Sequence, residues 1–131
     1  MFKFFSNFKI IFYSINFFLI FLYLFPGSLI GLAVKNDLRA QPQITSDFIV
    51  SSNHFYVFVL VSSIGFLTYK NKKQTIYLII YLILLSIILE VFHLFIPARS
   101  FQWSDLFGNL FGVIVVIFLK FLINKYEIFK N

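Results

Sequence analysis

The sequence predicts an all-α membrane protein that crosses the bilayer with four helices and keeps both termini in the cytoplasm. Of its 131 residues, 60% are hydrophobic and only 12% are charged, and the mean hydropathy is +0.92. Soluble domains carry about 25% charged residues. A water-soluble chain of this length could not hide so much apolar surface inside one core. One transmembrane domain over residues 1–131 is therefore expected.

The four predicted spans are apolar stretches close to the roughly 20 residues that a helix needs to cross a bilayer core of about 30 Å. They cover about residues 10–32, 48–69, 75–95 and 106–123. Pro26 and Gly27 are expected to break the first span near its end. Residues 1–33 also resemble a signal peptide, but their apolar run is longer than the usual stretch of about 7–15 residues. A retained first helix is therefore preferred over a cleaved one.

Basic residues are distributed unevenly over the two sides that four crossings would create. The side with both termini and the turn at residues 70–74 holds eight: Lys3, Lys9, Lys70, Lys72, Lys73, Lys120, Lys125 and Lys130. The other side holds three: Lys35, Arg39 and Arg99. The positive-inside rule places the richer side, and with it both termini, in the cytoplasm.

Charge and cysteine content exclude several classes of function. The net charge is +6 and the pI is about 9.7, but no basic stripe lies along a polar helix face, so nucleic-acid binding is not expected. Cysteine is absent, which excludes a disulfide or a thiolate metal site within the chain. No cofactor is expected.

Polar side chains concentrate where the third span ends and the fourth begins. The candidate functional residues are Glu90, His93, Arg99, Asp105 and Asn109, together with His54 at the start of the second span. A short turn makes the third and fourth spans antiparallel neighbours, so these groups are expected at a similar depth near the outer face. Ionisable groups at the edge of hydrocarbon are costly, and they mark a functional site by default.

A purely structural role is the alternative for this cluster. Arg99 would then pair with Glu90 or Asp105 and lock the hairpin. Asn109 would bridge two helices through a hydrogen bond worth about 0.6 kcal/mol on average in a membrane. The histidines would be interfacial aromatic residues with a polar tip. Closing a hairpin does not need two acids, a histidine and an amide, and this favours the functional interpretation.

The start of the fourth span carries signals for capping and packing. Ser104 is expected to cap the helix, with Asp105 in the first turn, where a negative charge suits the helix dipole. Gly108 and Gly112 form a G-x-x-x-G pattern, which lets two helix backbones approach closely. These two glycines are therefore expected to pack the fourth span against a neighbouring helix.

The polar residues of the hairpin also follow a recognisable order and spacing. The positions are Glu90, Pro97, Arg99, Asp105, Asn109 and Gly112, with His54 and Phe55 opening an earlier helix. This pattern resembles the VanZ-like family of small bacterial membrane proteins over about residues 48–116. His93 stands where that family usually has Gln, and Ser51 stands where it often has Lys. The resemblance implies a multi-pass protein of the bacterial cytoplasmic membrane. It also implies a link to low-level resistance to teicoplanin, a glycopeptide antibiotic.

Three functions are compatible with these residues. In the first, an outer-face pocket binds the polar head group of a lipid-linked or cell-wall component, and Arg99 offers a planar fork to a phosphate. In the second, a membrane enzyme acts on a lipid-linked precursor, with Glu90 or Asp105 as general base. In the third, the chain is a scaffold subunit of an envelope polysaccharide assembly, in contact with itself or another membrane protein.

Specific catalytic and metal signatures are absent from the sequence. Neither a nucleophile elbow nor a phosphate-binding loop is present. Two histidines and two acids could in principle hold a divalent ion, but their spacing along the chain matches no known zinc pattern. No metal site and no assigned catalytic residue is predicted. The expected partners are membrane lipids and the bound head group.

Overall fold

The computed structural model is helical wherever it has regular structure. It describes the backbone of residues 2–130 and the side chains of residues 8–127, so Lys3 and Lys130, which entered the charge count, lie outside the described side chains. Over residues 2–130 the helices are α1 Phe2–Leu24, α2 Leu29–Lys35, α3 Ser52–Thr68, α4 Lys72–Phe92 and α5 Trp103–Lys130. No strand occurs in this range. The predicted all-α class is confirmed.

Helices that could cross a membrane are present. By length and composition, α4 and α5 each qualify over Lys72–Phe92 and Trp103–Glu127. Residues 8–24 of α1 qualify together with α2, which gives up to three such spans in the described chain. Helix α3 is apolar but has only 17 residues, at the lower end of the length that crosses a bilayer.

The chain turns sharply after α1, and the predicted break at Pro26 and Gly27 is confirmed. The predicted first span is therefore not one straight helix, because α1 ends at Leu24 and α2 leaves it at 81°. Gly27 takes a φ of +106°, a conformation that glycine adopts without strain. The Ser28 hydroxyl then accepts a hydrogen bond from the Gly31 N–H at 2.9 Å, which caps α2.

The start of α3 also differs from the predicted apolar stretch. The helix begins at Ser52 rather than near residue 48, because the Asp47 carboxylate accepts the Ser52 N–H at 2.9 Å and ends the preceding loop there. The Ser52 hydroxyl donates to the Thr45 carbonyl at 2.7 Å. These contacts hold the loop between α2 and α3 against the first turn of α3.

Helix α4 is shifted toward the N-terminus relative to its prediction. It begins at Lys72 rather than near residue 75, since the Asn71 side chain accepts the Lys73 N–H at 2.9 Å and caps the helix. It ends at Phe92, with His93 as its C-cap, rather than at residue 95. A hydropathy window detects the apolar middle of a helix and misses the polar turns that start it.

Helix α5 begins earlier than predicted, so the expected cap at Ser104 is wrong. The helix starts at Trp103, and the Gln102 carbonyl accepts the N–H groups of Asp105 and Leu106, both at 3.1 Å. The Ser104 carbonyl instead accepts the Ser51 N–H at 3.1 Å. This backbone contact ties the first turn of α5 to the start of α3.

The largest helix contact is that between α3 and α5. The structure places Gly108 and Gly112 in it. A Cβ on Gly112 would lie 2.7 Å from the Phe55 carbonyl oxygen, and one on Gly108 would lie 2.8 Å from the Ser51 carbonyl oxygen. The two backbones therefore approach too closely for any side chain at these positions. This close packing sets the depth of Asn109, which lies between the two glycines.

Candidate functional site

Four segments bring their polar side chains together at one end of the bundle. They are the last turn of α1, the first turns of α3 and α5, and the end of α4. All six candidate residues predicted from the sequence lie there, and Tyr23 of α1 joins them. Among these, Glu90, His93 and Asn109 have 0%, 3% and 0% of their surface exposed. The cluster is therefore inside the protein rather than on its lipid-facing surface.

Tyr23, His54 and Asn109 form a triangle of hydrogen-bonding atoms. The Tyr23 hydroxyl donates to Asn109 Oδ1 at 2.8 Å and lies 2.9 Å from His54 Nδ1. His54 Nδ1 lies 3.0 Å from the same Asn109 oxygen. Asn109 Nδ2 donates to the Ser86 carbonyl at 3.1 Å, which fixes the orientation of the amide.

The triangle favours one tautomer of His54, with the proton on Nδ1. The Tyr23 hydroxyl has one proton and gives it to Asn109, so an unprotonated Nδ1 would face two acceptor oxygens. A proton on Nδ1 lets the ring donate into the triangle and satisfies all three groups. His54 Nε2 then faces Asp105 Oδ2 across 3.5 Å, which is longer than an ordinary N–H···O hydrogen bond.

Glu90 is fully buried and only half satisfied. Its Oε1 accepts the backbone N–H of Gln102 at 3.0 Å, next to the start of α5. Its Oε2 accepts no hydrogen bond and lies 3.2 Å from His93 Nδ1. His93 Nε2 lies 3.0 Å from the Tyr23 carbonyl, and because a carbonyl only accepts, this nitrogen carries the proton.

The structural alternative required Arg99 to pair with Glu90 or Asp105, and it pairs with neither. Its Nε donates to the Phe25 carbonyl at 3.2 Å, and its Nη2 donates to the Leu22 carbonyl at 2.9 Å. These oxygens belong to the C-terminal end of α1, where a cation also interacts favourably with the helix dipole. Burial lowers the pKa of the Arg99 guanidinium, but an arginine remains charged in proteins. Its remaining N–H groups are available to a ligand.

A cavity of about 340 Å³ lies beside the cluster, between α1 and α3. Its polar end is lined by Tyr23, His54, His93, Arg99, Gln102 and Asp105. Its apolar part is lined by Ile15, Phe18 and Leu19 of α1 and by Val57, Leu60 and Val61 of α3. Phe18 and Leu60 are 61% and 53% exposed, so the apolar part opens on the outside of the bundle.

Sequence reasoning missed Tyr23, because tyrosine in a Phe-rich apolar stretch looks like a packing residue. The available signal was its place one turn before the break at Pro26, where a hydroxyl can meet polar groups of the loops. Arg99 was found, but its partners were missed, since backbone carbonyls leave no trace in a sequence. His93 and Tyr23 also stack, with ring centroids 5.6 Å apart.

Replacing Tyr23 with Phe tests the triangle. Tyr23→Phe removes the proton that Asn109 accepts, and the expected loss is about 1 kcal/mol in the free energy of unfolding, typical of one buried hydrogen bond. Unfolding of the purified protein in mixed micelles measures it. Tyr13→Phe is the matched control, because its hydroxyl accepts a hydrogen bond from the Tyr69 hydroxyl in an exposed pair. Equal losses in the two variants would contradict the assignment.

Comparison with protein-family models, with curated proteins and with solved structures found no match. The geometry of the site is therefore the basis for its chemistry. A guanidinium, two imidazoles and the carboxylate of Asp105 line a cavity with a polar and an apolar part. Such an arrangement suits a ligand that is itself polar at one end and apolar at the other.

Proposed function

We propose that this chain is a VanZ-like protein of the bacterial cytoplasmic membrane that binds an amphiphile at its outer face. The ligand would be a lipid-linked or cell-wall component with a phosphate or sugar head group. The observation that carries the proposal is the continuity of the cavity, which runs from Arg99 and the histidines into an apolar groove. A contribution to glycopeptide tolerance would follow from holding such a component, and it rests on the family resemblance.

The proposed topology has four crossings with both termini in the cytoplasm. The helix ends that meet at the cluster support the four crossings. They are the end of α1, the start of α3, the end of α4 and the start of α5. Such an arrangement alternates the direction of the long helices. The 17 residues of α3 span about 25 Å, which is enough where neighbouring loops carry the polar ends. The uneven distribution of lysines supports the orientation.

The head group would lie at the polar end of the cavity. Arg99 lines this space together with His54 and His93, and a guanidinium binds phosphate oxygens with two parallel hydrogen bonds. Asp105, which lines the same end, would accept hydrogen bonds from sugar hydroxyls. A phosphate next to Arg99 would meet a positive charge that no described carboxylate neutralises within 4.0 Å.

The acyl or polyprenyl chain would lie in the groove between α1 and α3. From Ile15 to Tyr23 the lining follows α1 over a rise of about 12 Å. The exposed Phe18 and Leu60 mark a lateral opening through which a chain can leave the groove and enter the bilayer. Loop residues Pro42 and Gln43 also line the cavity, and in the proposed topology this loop would lie on the outer side.

An enzymatic role is the second candidate, and one contact favours it. His54 and Asp105 both line the cavity and face each other at 3.5 Å, so either could exchange a proton with a bound head group. General acid–base catalysis needs such a group within hydrogen-bond reach of the reacting atom. The purified protein would then convert a lipid-linked precursor, whereas a binding protein would retain it unchanged.

Native mass spectrometry of protein released in mild detergent tests the binding proposal. Wild-type protein is expected to carry one amphiphile in part of the population. In Arg99→Ala the affinity should fall about tenfold or more, because a charge-assisted hydrogen bond is worth about 1.5–3 kcal/mol, and the bound fraction should fall with it. Arg39→Ala, which removes an exposed loop cation, is the matched control. Equal adduct in both variants would contradict the proposal, and protein abundance in the membrane shows whether folding was affected.

A further inference from the structure

The buried acids and one histidine converge more closely than an amphiphile site requires. His54, Glu90 and Asp105 each offer one ligand atom, and all three atoms lie within 4.8 Å of one another. They come from α3, α4 and α5, far apart in sequence, which is why their spacing along the chain showed no metal pattern. We propose that these three side chains bind a divalent transition-metal ion.

The donor set suits such an ion. An imidazole nitrogen and two carboxylate oxygens are ligands that zinc and manganese accept. Bonds of about 2.0–2.2 Å place the ligand atoms of one ion within about 4 Å of each other. The 3.5 Å between His54 Nε2 and Asp105 Oδ2 already fits this geometry. Glu90 reaches it with a side-chain movement of about 1 Å.

A second observation concerns Glu90, whose Oε2 accepts no hydrogen bond although His93 Nδ1 lies 3.2 Å away. Glu90 is 0% exposed. An unsatisfied carboxylate oxygen in a buried position is costly. A divalent ion beside it would offset this cost, and two carboxylates with a neutral imidazole would leave the three-residue site with no net charge. The ion would therefore stabilise the cluster in the membrane.

Neighbouring groups orient two of the three ligands, as the outer shell of a metal site does. A metal-binding histidine donates its other ring N–H to an oxygen, which orients the free nitrogen toward the ion. His54 meets this condition, with Nδ1 3.0 Å from Asn109 Oδ1 and Nε2 on the side of Asp105. Glu90 is oriented in the same way by the N–H of Gln102.

The proposed ion would have free coordination positions on the side that faces the cavity. His54 and Asp105 line the cavity, whereas Glu90 does not. Three protein ligands with free positions toward a cavity are typical of zinc sites that bind a further ligand. The ion site shares His54 and Asp105 with the head-group end of the cavity, but its ligands come from the protein alone, so ion binding can be measured on delipidated protein.

Metal titration of the delipidated protein tests this inference. After chelation and gel filtration in detergent, wild-type protein is incubated with Zn²⁺ or Mn²⁺, separated from free ion and measured by inductively coupled plasma mass spectrometry. About one ion per chain is expected. His54→Ala and Glu90→Gln should each lower the affinity about tenfold or more. Glu90→Gln keeps an oxygen that can accept the Gln102 N–H. A loss of metal affinity in this variant would therefore reflect the missing carboxylate charge rather than a broken helix contact.

The controls separate this site from surface binding and from misfolding. Asp47→Asn changes an exposed acid that lines the same cavity but is not among the three ligands, and it should bind the ion like wild type. Gel filtration and helicity show whether each variant is folded, and Asp105→Asn replaces any variant that is not. No bound ion in wild type, or equal binding in all variants, would overturn the inference. Either result would leave the amphiphile measurement unaffected.

Discussion

Gly112→Val is expected to lower the free energy of unfolding by about 3 kcal/mol, the upper end of the usual cost of overpacking a tight contact. A Cβ at this position would lie 2.7 Å from the Phe55 carbonyl oxygen and 2.9 Å from Phe58 Cβ, and valine adds two methyl groups beyond it. The nearest obstacle is backbone, which cannot rotate away, so α3 and α5 must separate.

The effect of Gly112→Val should extend to the site, because Asn109 lies one turn away on the same face of α5. Separation of α3 from α5 would lengthen the contact between His54 and Asn109 and weaken the triangle with Tyr23. Unfolding in mixed micelles measures the loss of stability. Ile114→Ala is the matched control, since Ile114 lies two residues further along α5 and is 54% exposed. Comparable stability of the two variants would contradict the packing assigned to this glycine.

Val57→Trp is expected to abolish most amphiphile binding while leaving the polar cluster in place. Val57 is half-buried and lines the apolar part of the cavity, one turn below His54 on α3. An indole ring there would occupy the space proposed for the first part of the lipid chain. We expect the affinity for an added phospholipid to fall at least about tenfold, the equivalent of roughly 1.4 kcal/mol.

Rebinding of phospholipid to delipidated protein measures the effect of Val57→Trp. The matched control is Leu84→Trp, which places the same side chain on α4 at a position that is 51% exposed and outside the cavity. This control is expected to bind like wild type. If Val57→Trp bound phospholipid as tightly as wild type, the ligand would be held by the polar end of the cavity alone.

Much of the architecture was predictable because the apolar and polar residues are segregated along the chain. The break at Pro26 and Gly27, the antiparallel hairpin of α4 and α5 and the meeting of Glu90 with His93 all follow from local patterns. Helix ends were less predictable, since they depend on single caps such as Asn71. The 81° turn into α2 depends on contacts between a loop and a short helix, which hydropathy does not reveal.

The candidate site was predictable in its members and not in its connections. Asn109 and His54 were named from the sequence, but their shared partner Tyr23 belongs to another helix, and only the packing of α1 brings it near. Only the structural alternative paired Arg99 with an acid, and the side chain instead binds the end of α1. Buried groups choose partners by three-dimensional proximity, and the charge of a side chain in a sequence does not identify that partner.

Native mass spectrometry of four proteins is the sharpest test of the proposal that one cavity holds both ends of an amphiphile. Wild type, Arg99→Ala, Val57→Trp and Leu84→Trp would be released from the same membranes in the same detergent. We expect a single bound amphiphile in wild type and Leu84→Trp, and its loss in both Arg99→Ala and Val57→Trp. An amphiphile retained equally by all four folded proteins, or absent from wild type, would contradict the proposal.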